Sequence, residues 1–355
     1  MSPARRERPA PGRIVLNLGD RRPIWAAPEW VFEELGAALP KGWEMEVIRA
    51  LTDGAGDGGR APNREVLRAV KGARIYIGFG VPEPILEAGT PTLEWVHSCA
   101  AGVGGSLHET MRTSPVTFTN SAGVHAPPMA ETVVGMLLYF ARGLDFAVDG
   151  QRRGTWNEAP FLETSTPVRE LSSMTVGIVG YGGIGREVGV RLRSLGCRVI
   201  GVRRSAPKTP IDPAGVEVVH GDSGLETVLA ESDAVVIGTP ETAQTRGLFT
   251  LARLRSMKQG AVLVNIARGK IVDEDALIQI LREGHLRGAA LDVFAVEPLP
   301  DGHPLWTAPN VLITPHTSGV TRGFWRRELD LILENFRRLL DGRPLLNEVD
   351  RERGY

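Results

Sequence analysis

Short apolar runs alternate with amphipathic stretches along most of the chain. This alternation predicts parallel β-sheets flanked by helices, an α/β fold. In the first third the candidate strands are Arg13–Leu18, Glu44–Arg49, Arg74–Gly78, Glu94–His97 and Val116–Thr119, with amphipathic stretches at Glu29–Leu39 and Arg64–Val70. The second series comprises Thr175–Val179, Arg198–Val202, Glu217–Val219, Ala234–Gly238, Val262–Ile266, Ala289–Asp292 and Val311–Ile313.

Three further segments depart from this simple alternation. Glu131–Val148 is apolar around most of its circumference and predicts one long, largely buried helix. The polar stretch Asp149–Arg169 is a linker, a surface loop or an excursion onto a partner subunit. Phe324–Leu340 predicts a helix with one apolar stripe, which the first sheet is available to cover.

Composition sets limits on the class of protein. A length of 355 residues suggests about two domains. The formal net charge of -1 argues against a nucleic-acid-binding surface, which needs a cationic excess. Cys99 and Cys197 cannot build a disulfide framework or a four-thiolate zinc site, so we expect two buried apolar thiols. No apolar run is long enough for a membrane span, and Met1–Arg13 predicts a disordered tail rather than a secretory signal, which favours a cytoplasmic protein.

A glycine-rich turn follows the strand Thr175–Val179. The 42 glycines exceed the usual share of about 7%, and Gly180-Tyr181-Gly182-Gly183-Ile184-Gly185 concentrates four of them between a strand and a helix-compatible run. That context is what a dinucleotide fingerprint requires: a tight turn, close approach of a pyrophosphate, and a helix N-terminus facing it. A purely structural glycine turn is the alternative. The predicted cofactor-binding residues here are Gly180, Gly182, Gly183, Ile184 and Gly185.

The acidic residue that NAD-binding enzymes have after the next strand is absent. A carboxylate about 20 residues after the glycines would hold the ribose 2′-hydroxyl of NAD. The strand Arg198–Val202 ends instead in Arg203-Arg204-Ser205. Two guanidinium groups and a hydroxyl suit a 2′-phosphate, so NADP is the expected coenzyme, with NAD second. The alternative is two solvated loop arginines.

Polar segments also follow three late strands, where open α/β sheets bind ligands. They are Asn265–Gly269, Asp292–Pro298 and Thr314–Gly319. Each alone has a structural explanation: a surface Arg, a capping Glu, a loop His. Together they supply the groups that reduce a 2-keto acid: a His that donates a proton near neutral pH, a carboxylate that stabilises its imidazolium form, and an Arg that binds the substrate. This chemistry requires no metal.

With these segments, the sequence resembles the D-isomer-specific 2-hydroxyacid dehydrogenase family over nearly the whole chain, from about Arg13 to Tyr355. The separations 316 − 297 = 19 and 297 − 268 = 29 also resemble those of the family. The strings that carry the resemblance are Val176–Gly185, Met257–Ala261, Val264–Gly269, Leu291–Phe294, Glu297-Pro298, Thr314–His316, Leu346–Asp350 and Gly354-Tyr355.

The resemblance implies a role for each of several residues. Arg268 would bind the substrate, Glu297 would be the partner carboxylate and His316 the general acid/base. The backbone of Ala101-Gly102-Val103 would hold the substrate carboxylate, and Asp292 would accept a bond from the nicotinamide amide. Further cofactor contacts would come from Thr239, Pro240, Ala267, Arg268 and His316.

The family's fold implies two doubly wound parallel-sheet domains. A Rossmann coenzyme domain, residues 123–316, would be inserted in a discontinuous flavodoxin-like substrate domain, residues 1–122 and 317–355, with the cleft between them. The crossings would lie near Asn120–Val124 and Pro315–Thr321. Asp149–Arg169 would then be part of a dimer arm of the coenzyme domain, and the protein a homodimer.

In having an arginine at position 203, this chain resembles the NADPH-using glyoxylate and hydroxypyruvate reductases of the family, which have basic residues there. A small 2-keto or 2-hydroxy acid is therefore the expected substrate. Formate dehydrogenases have a Gln where this chain has Glu297, which argues against that activity. Two alternatives stay open: an NAD-dependent phosphoglycerate dehydrogenase, whose phosphate could meet Arg21-Arg22, and a nucleotide-sensing binding module that does no chemistry.

Overall fold

The computed structural model describes residues 11–52 and 62–354. The chain divides into two compact units, which we call the terminal unit (residues 1–125 and 320–355) and the central unit (residues 126–319). The divisions fall three residues after the expected ones (125 against 122, and 319 against 316). Most of the expected N-terminal tail lies outside the described residues, but Arg13 already begins the first strand.

The terminal unit contains a five-stranded sheet whose pairings are all parallel, in the order β2-β1-β3-β4-β5. This is the flavodoxin-like doubly wound order. The strands are β1 Arg13–Asp20, β2 Glu44–Thr52, β3 Ile75–Gly78, β4 Trp95–Ser98 and β5 Thr117–Asn120. The connecting helices are α1 Glu29–Ala38, α2 Arg64–Ala69, α3 Glu83–Gly89 and α4 Glu109–Thr113.

The central unit contains a seven-stranded parallel sheet in the order β12-β11-β10-β9-β6-β7-β8. The order reverses between β6 and β9, so ligands are expected at the carboxyl ends of those two strands. Its strands are β6 Thr175–Val179, β7 Arg198–Arg203, β8 Glu217–His220, β9 Ala234–Ile237, β10 Val262–Asn265, β11 Gly288–Leu291 and β12 Val311–Ile313. Its helices are α5 Ala126–Ala141, α6 Leu144–Arg153, α7 Ala159–Leu162, α8 Gly183–Ser194, α9 Gly221–Glu231, α10 Leu251–Ser256 and α11 Glu274–Arg282. The predicted α/β class and parallel sheets are confirmed.

The last helix, α12 Phe324–Leu340, belongs to the terminal unit and has the predicted bounds. Its apolar stripe is buried on the first sheet: Leu329, Ile332 and Phe336 pack with strand residues such as Ile14 and Leu16. The chain then returns to the sheet edge, where Val349 N donates to Phe118 O. Both ends of the sequence therefore build one core.

The single helix predicted over Glu131–Val148 is wrong. The helix starts earlier, at Ala126, and ends at Ala141; α6 begins after Gly143. Gly143 adopts φ +67°, and a Cβ there would lie 2.9 Å from Phe161. The left-handed glycine lets the chain turn so that Phe146 meets Phe161 edge to face, with ring centroids 5.9 Å apart. Part of the segment expected to be linker or arm is therefore helical, as α6 and α7.

The two cysteines are free and buried, as predicted. In the described part of the chain, no helix combines the length and the apolar character that crossing a bilayer needs.

Candidate active site

The glycine turn between β6 and α8 lies at the switch point of the central sheet. Gly180 adopts φ +99°, and a Cβ there would lie 2.4 Å from the backbone N of Thr239, after β9. A Cβ on Gly185 would lie 2.5 Å from Gly180 O, so helix and strand pack closely. At Gly182 and Gly183, by contrast, a Cβ would meet nothing within 4 Å. This open space at the N-terminus of α8 fits the pyrophosphate of a dinucleotide.

Tyr181 fastens this turn to the next strand and to the loop beyond it. Its ring covers Gly201 of β7, where a Cβ would lie 2.4 Å from the ring, and its hydroxyl donates to Asp212 Oδ2 over 2.5 Å. Burial and the neighbouring carboxylate raise the pKa of Tyr181, so the phenol keeps its proton and remains a donor. The second residue of the motif thus faces inwards and stabilises the turn.

Arg203 is the last residue of β7, at the same edge as the glycine turn. The backbone N–H groups of Gly180 and Tyr181 both donate to Val202 O over 3.0 Å, which joins the two segments directly. Arg203 is half-buried, whereas Arg204 and Ser205 are exposed. The structure therefore places the predicted 2′-phosphate residues next to the predicted pyrophosphate turn.

His316 and Glu297 come together after strands β12 and β11. His316 Nδ1 lies 2.7 Å from Glu297 Oε2, and 49% of the His316 side chain is exposed. Glu297 Oε1 accepts from Phe294 N over 2.9 Å, so both carboxylate oxygens are in use. His316 adopts φ +53°, which is uncommon for a residue other than glycine. The loop is held so that the imidazole faces solvent on one side and a carboxylate on the other.

Asp292 anchors the loop that carries His316. It is fully buried, and its Oδ1 accepts from Thr314 Oγ1 over 2.6 Å and from Thr317 N over 2.9 Å. Its Oδ2 accepts from Ser318 N over 3.1 Å, and its backbone O accepts from His316 N over 2.8 Å. The family resemblance predicted a nicotinamide contact for this carboxylate. The structure shows these bonds to the loop, and the nicotinamide contact stays a prediction.

Arg268 lies in the tight loop after β10. Asn265, which is buried, closes this loop by accepting from Ala267 N and donating to Arg268 O, both over 3.1 Å. Arg268 Nη1 donates to Ala267 O over 2.7 Å. A Cβ on Gly269 would lie 1.8 Å from the carbonyl carbon of Phe294, so only glycine allows this loop to lie against the turn that ends in Glu297.

The predicted substrate loop, Ala101-Gly102-Val103, follows β4 in the terminal unit. Asn120 Nδ2 donates to Ala101 O over 2.9 Å, and Ser121 N donates to Ala100 O over 3.2 Å. Val103 is buried and packs in the core, while Ala101 is exposed. The loop is thus tied to the end of β5 and keeps its middle accessible.

A second histidine–glutamate pair joins β4 to α12 in the terminal unit. His97 Nε2 is 2.7 Å from Glu328 Oε1, and both side chains have no exposed surface. With Cys99 they form the one set of three side chains, among those the structure describes, whose donor atoms lie close enough together for a metal ion.

Hydrogen bonds within the protein engage both ring nitrogens of His97. Trp95 Nε1 can only donate, so Thr119 Oγ1 accepts from it over 2.8 Å, and the same oxygen lies 2.7 Å from His97 Nδ1. Glu328 Oε1 lies 2.7 Å from His97 Nε2 and, as a carboxylate, accepts from it. A metal ion at this cluster would have to displace these bonds.

The glycine turn, the acid/base pair and the fold all point to one group of enzymes, and comparison with known proteins decides it. Residues 134–318 match the family model described as "D-isomer specific 2-hydroxyacid dehydrogenase, NAD binding domain". The chain is also 30% identical over 287 residues to glycerate dehydrogenase of Methylorubrum extorquens, covering 79% of this chain and 87% of that protein. The chain belongs to this family.

Other members of the D-2-hydroxyacid dehydrogenase family extend the comparison. The glyoxylate reductase of Thermofilum pendens is 36% identical over 231 residues, covering 64% of this chain and 66% of the reductase. The relatives named D-3-phosphoglycerate dehydrogenase are longer, and the chain spans 56% of one and 53% of another.

A solved structure of the family shows the same fold. It is a D-isomer-specific 2-hydroxyacid dehydrogenase from Xanthobacter autotrophicus Py2, in complex with NADPH and MES, at a TM-score of 0.78 and 33% identity, covering 98% of this chain and all of that one. This protein is therefore an NAD(P)-dependent oxidoreductase of the family, acting on CH–OH donors.

Sequence reasoning missed several residues that shape this dehydrogenase site. Asn265 closes the Arg268 loop, Tyr181 locks the glycine turn, and Glu274 accepts from Ala295 N over 2.8 Å beside Glu297. Gly269, which lies against the Phe294 backbone, was also not singled out, although a glycine often marks a place of close backbone approach. No such signal marks Glu274, since helices commonly begin with a glutamate.

Proposed function

We propose that this chain reduces a small 2-keto acid to the D-2-hydroxy acid with NADPH, glyoxylate or hydroxypyruvate being the favoured substrates. The observation that carries the proposal is the 2.7 Å contact between Glu297 and the exposed imidazole of His316. The names of two relatives, glycerate dehydrogenase and glyoxylate reductase, support a short-chain substrate. The central unit serves as the coenzyme domain and the terminal unit as the substrate domain.

His316 acts as the general acid in reduction. Because Glu297 engages Nδ1, the proton goes from Nε2 to the carbonyl oxygen, where negative charge builds up as the reaction proceeds. Glu297 stabilises the imidazolium form and fixes the orientation of the ring. When bound, the coenzyme supplies the hydride. In the oxidation direction His316 Nε2 takes the proton from the substrate hydroxyl.

Arg268 binds the substrate carboxylate and polarises the carbonyl, since a guanidinium makes paired, charge-assisted bonds to carboxylates. Its hydrogen bond to Ala267 O leaves other N–H groups of the guanidinium for the substrate. The backbone of Ala101-Gly102-Val103 binds the same carboxylate, as the family resemblance implies. Ala267, Thr239, Pro240 and the glycine turn contact the coenzyme.

Arg203, Arg204 and Ser205 bind the 2′-phosphate and so select NADPH. Support comes from the end of β7, which presents a guanidinium where NAD-binding relatives have an acid, and from the NADPH complex of the 33% identical structure. Arg203→Asp is expected to move the ratio of kcat/KM for NADPH over NADH towards NADH by tenfold or more, roughly the effect of losing one charge-assisted phosphate bond. Arg282→Asp, the same charge change on the exposed side of α11, is the control. An unchanged ratio in Arg203→Asp would show that the 2′-phosphate is recognised elsewhere.

The substrate assignment is tested by steady-state assays of glyoxylate, hydroxypyruvate, pyruvate and 3-phosphohydroxypyruvate, each with NADPH and with NADH. The highest kcat/KM for glyoxylate or hydroxypyruvate with NADPH supports the proposal. Preference for the phosphorylated acid with NADH would identify a phosphoglycerate dehydrogenase instead. Absence of turnover with every acid, at full coenzyme affinity, would favour a binding module.

We also propose that the protein is a homodimer and that the segment around α7 is an arm that packs on the partner subunit. Trp156 is 92% exposed and Leu162 75% exposed, and two large apolar side chains so exposed on one short segment are available to pack on a partner. Trp156→Asp is expected to weaken dimerisation in sedimentation-velocity experiments. A monomeric wild-type protein would contradict the proposal.

A further inference from the structure

The peptide unit between Phe294 and Ala295 lies where three parts of the site meet. On one side it is in contact with Gly269, next to Arg268. The N–H of Phe294, which belongs to the peptide unit just before it, donates to Glu297 Oε1 over 2.9 Å. The N–H of Ala295, one residue on, donates the other way, to Glu274 Oε1 over 2.8 Å. The position of this peptide thus affects both the substrate-binding arginine and the partner of His316.

The contacts that fix Glu274 do not involve the pair His316 and Glu297. It is the first residue of α11, whose N-cap Asp273 accepts from Ala276 N over 3.0 Å, so its backbone position is well defined. Only 15% of its side chain is exposed, and its Oε2 lies 3.6 Å from His303 Nε2. His303 Nδ1 accepts from Leu305 N, which leaves Nε2 as the protonated nitrogen that faces Glu274.

These contacts assign a role to a carboxylate outside the acid/base pair. We propose that Glu274, oriented by His303, is a positioning residue that holds the Phe294–Ala295 peptide and thereby keeps Glu297 on His316. This inference rests on the proposed function of that pair. Glu274 does not touch the substrate; it acts through the turn that ends in Glu297.

Several charged groups are neighbours of Glu274 in the sequence or lie at the turn that it holds. Asp273 and Asp275 lie on its own helix, Glu297 on the turn, and His303 on the segment that follows it. Lys270 lies on the loop before the helix. The Asp275 side chain is exposed and has no partner among the described residues at the catalytic turn. Asp275→Asn therefore removes one negative charge from the first turn of α11 without changing a contact to the segment that ends in Glu297. It serves as the matched control.

Glu274→Ala is expected to lower kcat for keto-acid reduction by roughly tenfold, because small displacements of a catalytic group cost large factors in rate. The alkaline midpoint of the kcat pH profile should move to lower pH, since a displaced Glu297 stabilises the imidazolium form less. Coenzyme Kd, measured by fluorescence quenching, should not change. Glu274→Gln keeps the acceptor and the shape, so it should retain most of the rate; Asp275→Asn should behave like wild type.

A double-mutant cycle with Glu297→Gln decides whether Glu274 acts through Glu297. The expected result is that Glu274→Ala costs roughly tenfold in the wild-type background and less than about twofold once Glu297 is already Gln. Equal losses in the two backgrounds would overturn the inference, and so would a loss of the same size in Asp275→Asn.

NMR titration of the His316 ring in coenzyme-free protein gives a readout that does not depend on turnover. Glu274→Ala should lower the pH at which His316 titrates, in the same direction as Glu297→Gln but by less. If Glu297→Gln left turnover and the pH profile unchanged, the proposed function would fail, and the titration would still decide about Glu274. If Glu297→Gln lowered that pH and Glu274→Ala did not, the inference alone would fail.

Discussion

Among the described residues, the two shortest histidine–glutamate contacts have the same length and very different surroundings. In the central unit, His316 and Glu297 are 2.7 Å apart and partly exposed, on loops at a sheet edge. In the terminal unit, His97 and Glu328 are also 2.7 Å apart but fully buried, between a strand and α12. A short contact therefore does not by itself indicate acid/base chemistry.

What separates the pairs is which ring nitrogen remains free. In the buried pair, Thr119 and Glu328 engage both nitrogens of His97, and no solvent reaches them. In the exposed pair, Glu297 engages Nδ1 and about half of the His316 side chain is exposed, which leaves Nε2 for the proton transfer proposed above. The first arrangement stabilises a fold, and the second can move a proton.

The largest expected effect comes from removing the exposed imidazole. His316→Asn should lower kcat by about 10³-fold, within the range for loss of a general acid/base. Asn is chosen because it tolerates the positive φ at this position. Coenzyme Kd should stay close to the wild-type value. His97→Asn, the matched variant of the buried pair, should leave kcat of the folded protein near wild type; equal losses in both would remove the distinction between the pairs.

Breaking the buried pair should cost stability instead of rate. Glu328→Ala leaves the buried N–H of His97 without its acceptor and should lower the free energy of unfolding by about 1–3 kcal/mol. Urea unfolding followed by tryptophan fluorescence measures this, with kcat recorded in parallel. Asp330→Ala removes an exposed ion pair with Arg326 on the same helix and should change stability by less than about 1 kcal/mol. A loss of unfolding free energy no greater than that of the control would mean that the buried pair does not stabilise the fold.

The anchor of the His316 loop should give an intermediate result. Asp292→Asn weakens the bonds to Thr314, Thr317 and Ser318. If the carboxylate serves only as an anchor, kcat should fall by roughly tenfold because His316 is misplaced, and the coenzyme Kd should not change. A raised coenzyme Kd would show that Asp292 also contacts the nicotinamide amide, as the family resemblance implies.

The smallest effect concerns the thiol beside the buried pair. Burial, and then the Glu328 carboxylate, raise the pKa of Cys99 well above its usual value. The reactive species is the thiolate, so the native protein should react very slowly with a thiol reagent at pH 8. In a Cys197→Ser background, Glu328→Ala should speed the labelling of Cys99. Fast labelling of the unaltered Cys99 would contradict the burial of the whole cluster.

Sequence alone predicted the elements whose signal is local. The bounds of β12 and α12 agree with the prediction to the residue, because an apolar run between polar neighbours and a one-sided stripe are complete within the segment. The pairing of Glu297 with His316 was expected from the ordered motifs, and the structure brings the two side chains together.

Other features depend on partners that are distant in sequence. The break at Gly143 is packed against residues further along the chain, since a Cβ there would lie 2.9 Å from Phe161 and 3.0 Å from Val168. His97 meets Glu328 across 231 positions, and neither residue type marks that contact. Glu274 looks like an ordinary first-turn acid until the fold brings Ala295 to it. Pattern reasoning fails where a local choice is decided by tertiary contacts.

The split construction of the terminal unit has a consequence for synthesis. Residues up to 125 leave the ribosome first, yet one face of their sheet waits for Phe324, Leu329 and Phe336 of α12. The central unit, residues 126–319, can fold in the meantime, since domains generally fold as their chain emerges. During that interval α1 covers only part of this apolar sheet face, so truncation before α12 should give a product that aggregates or binds chaperones.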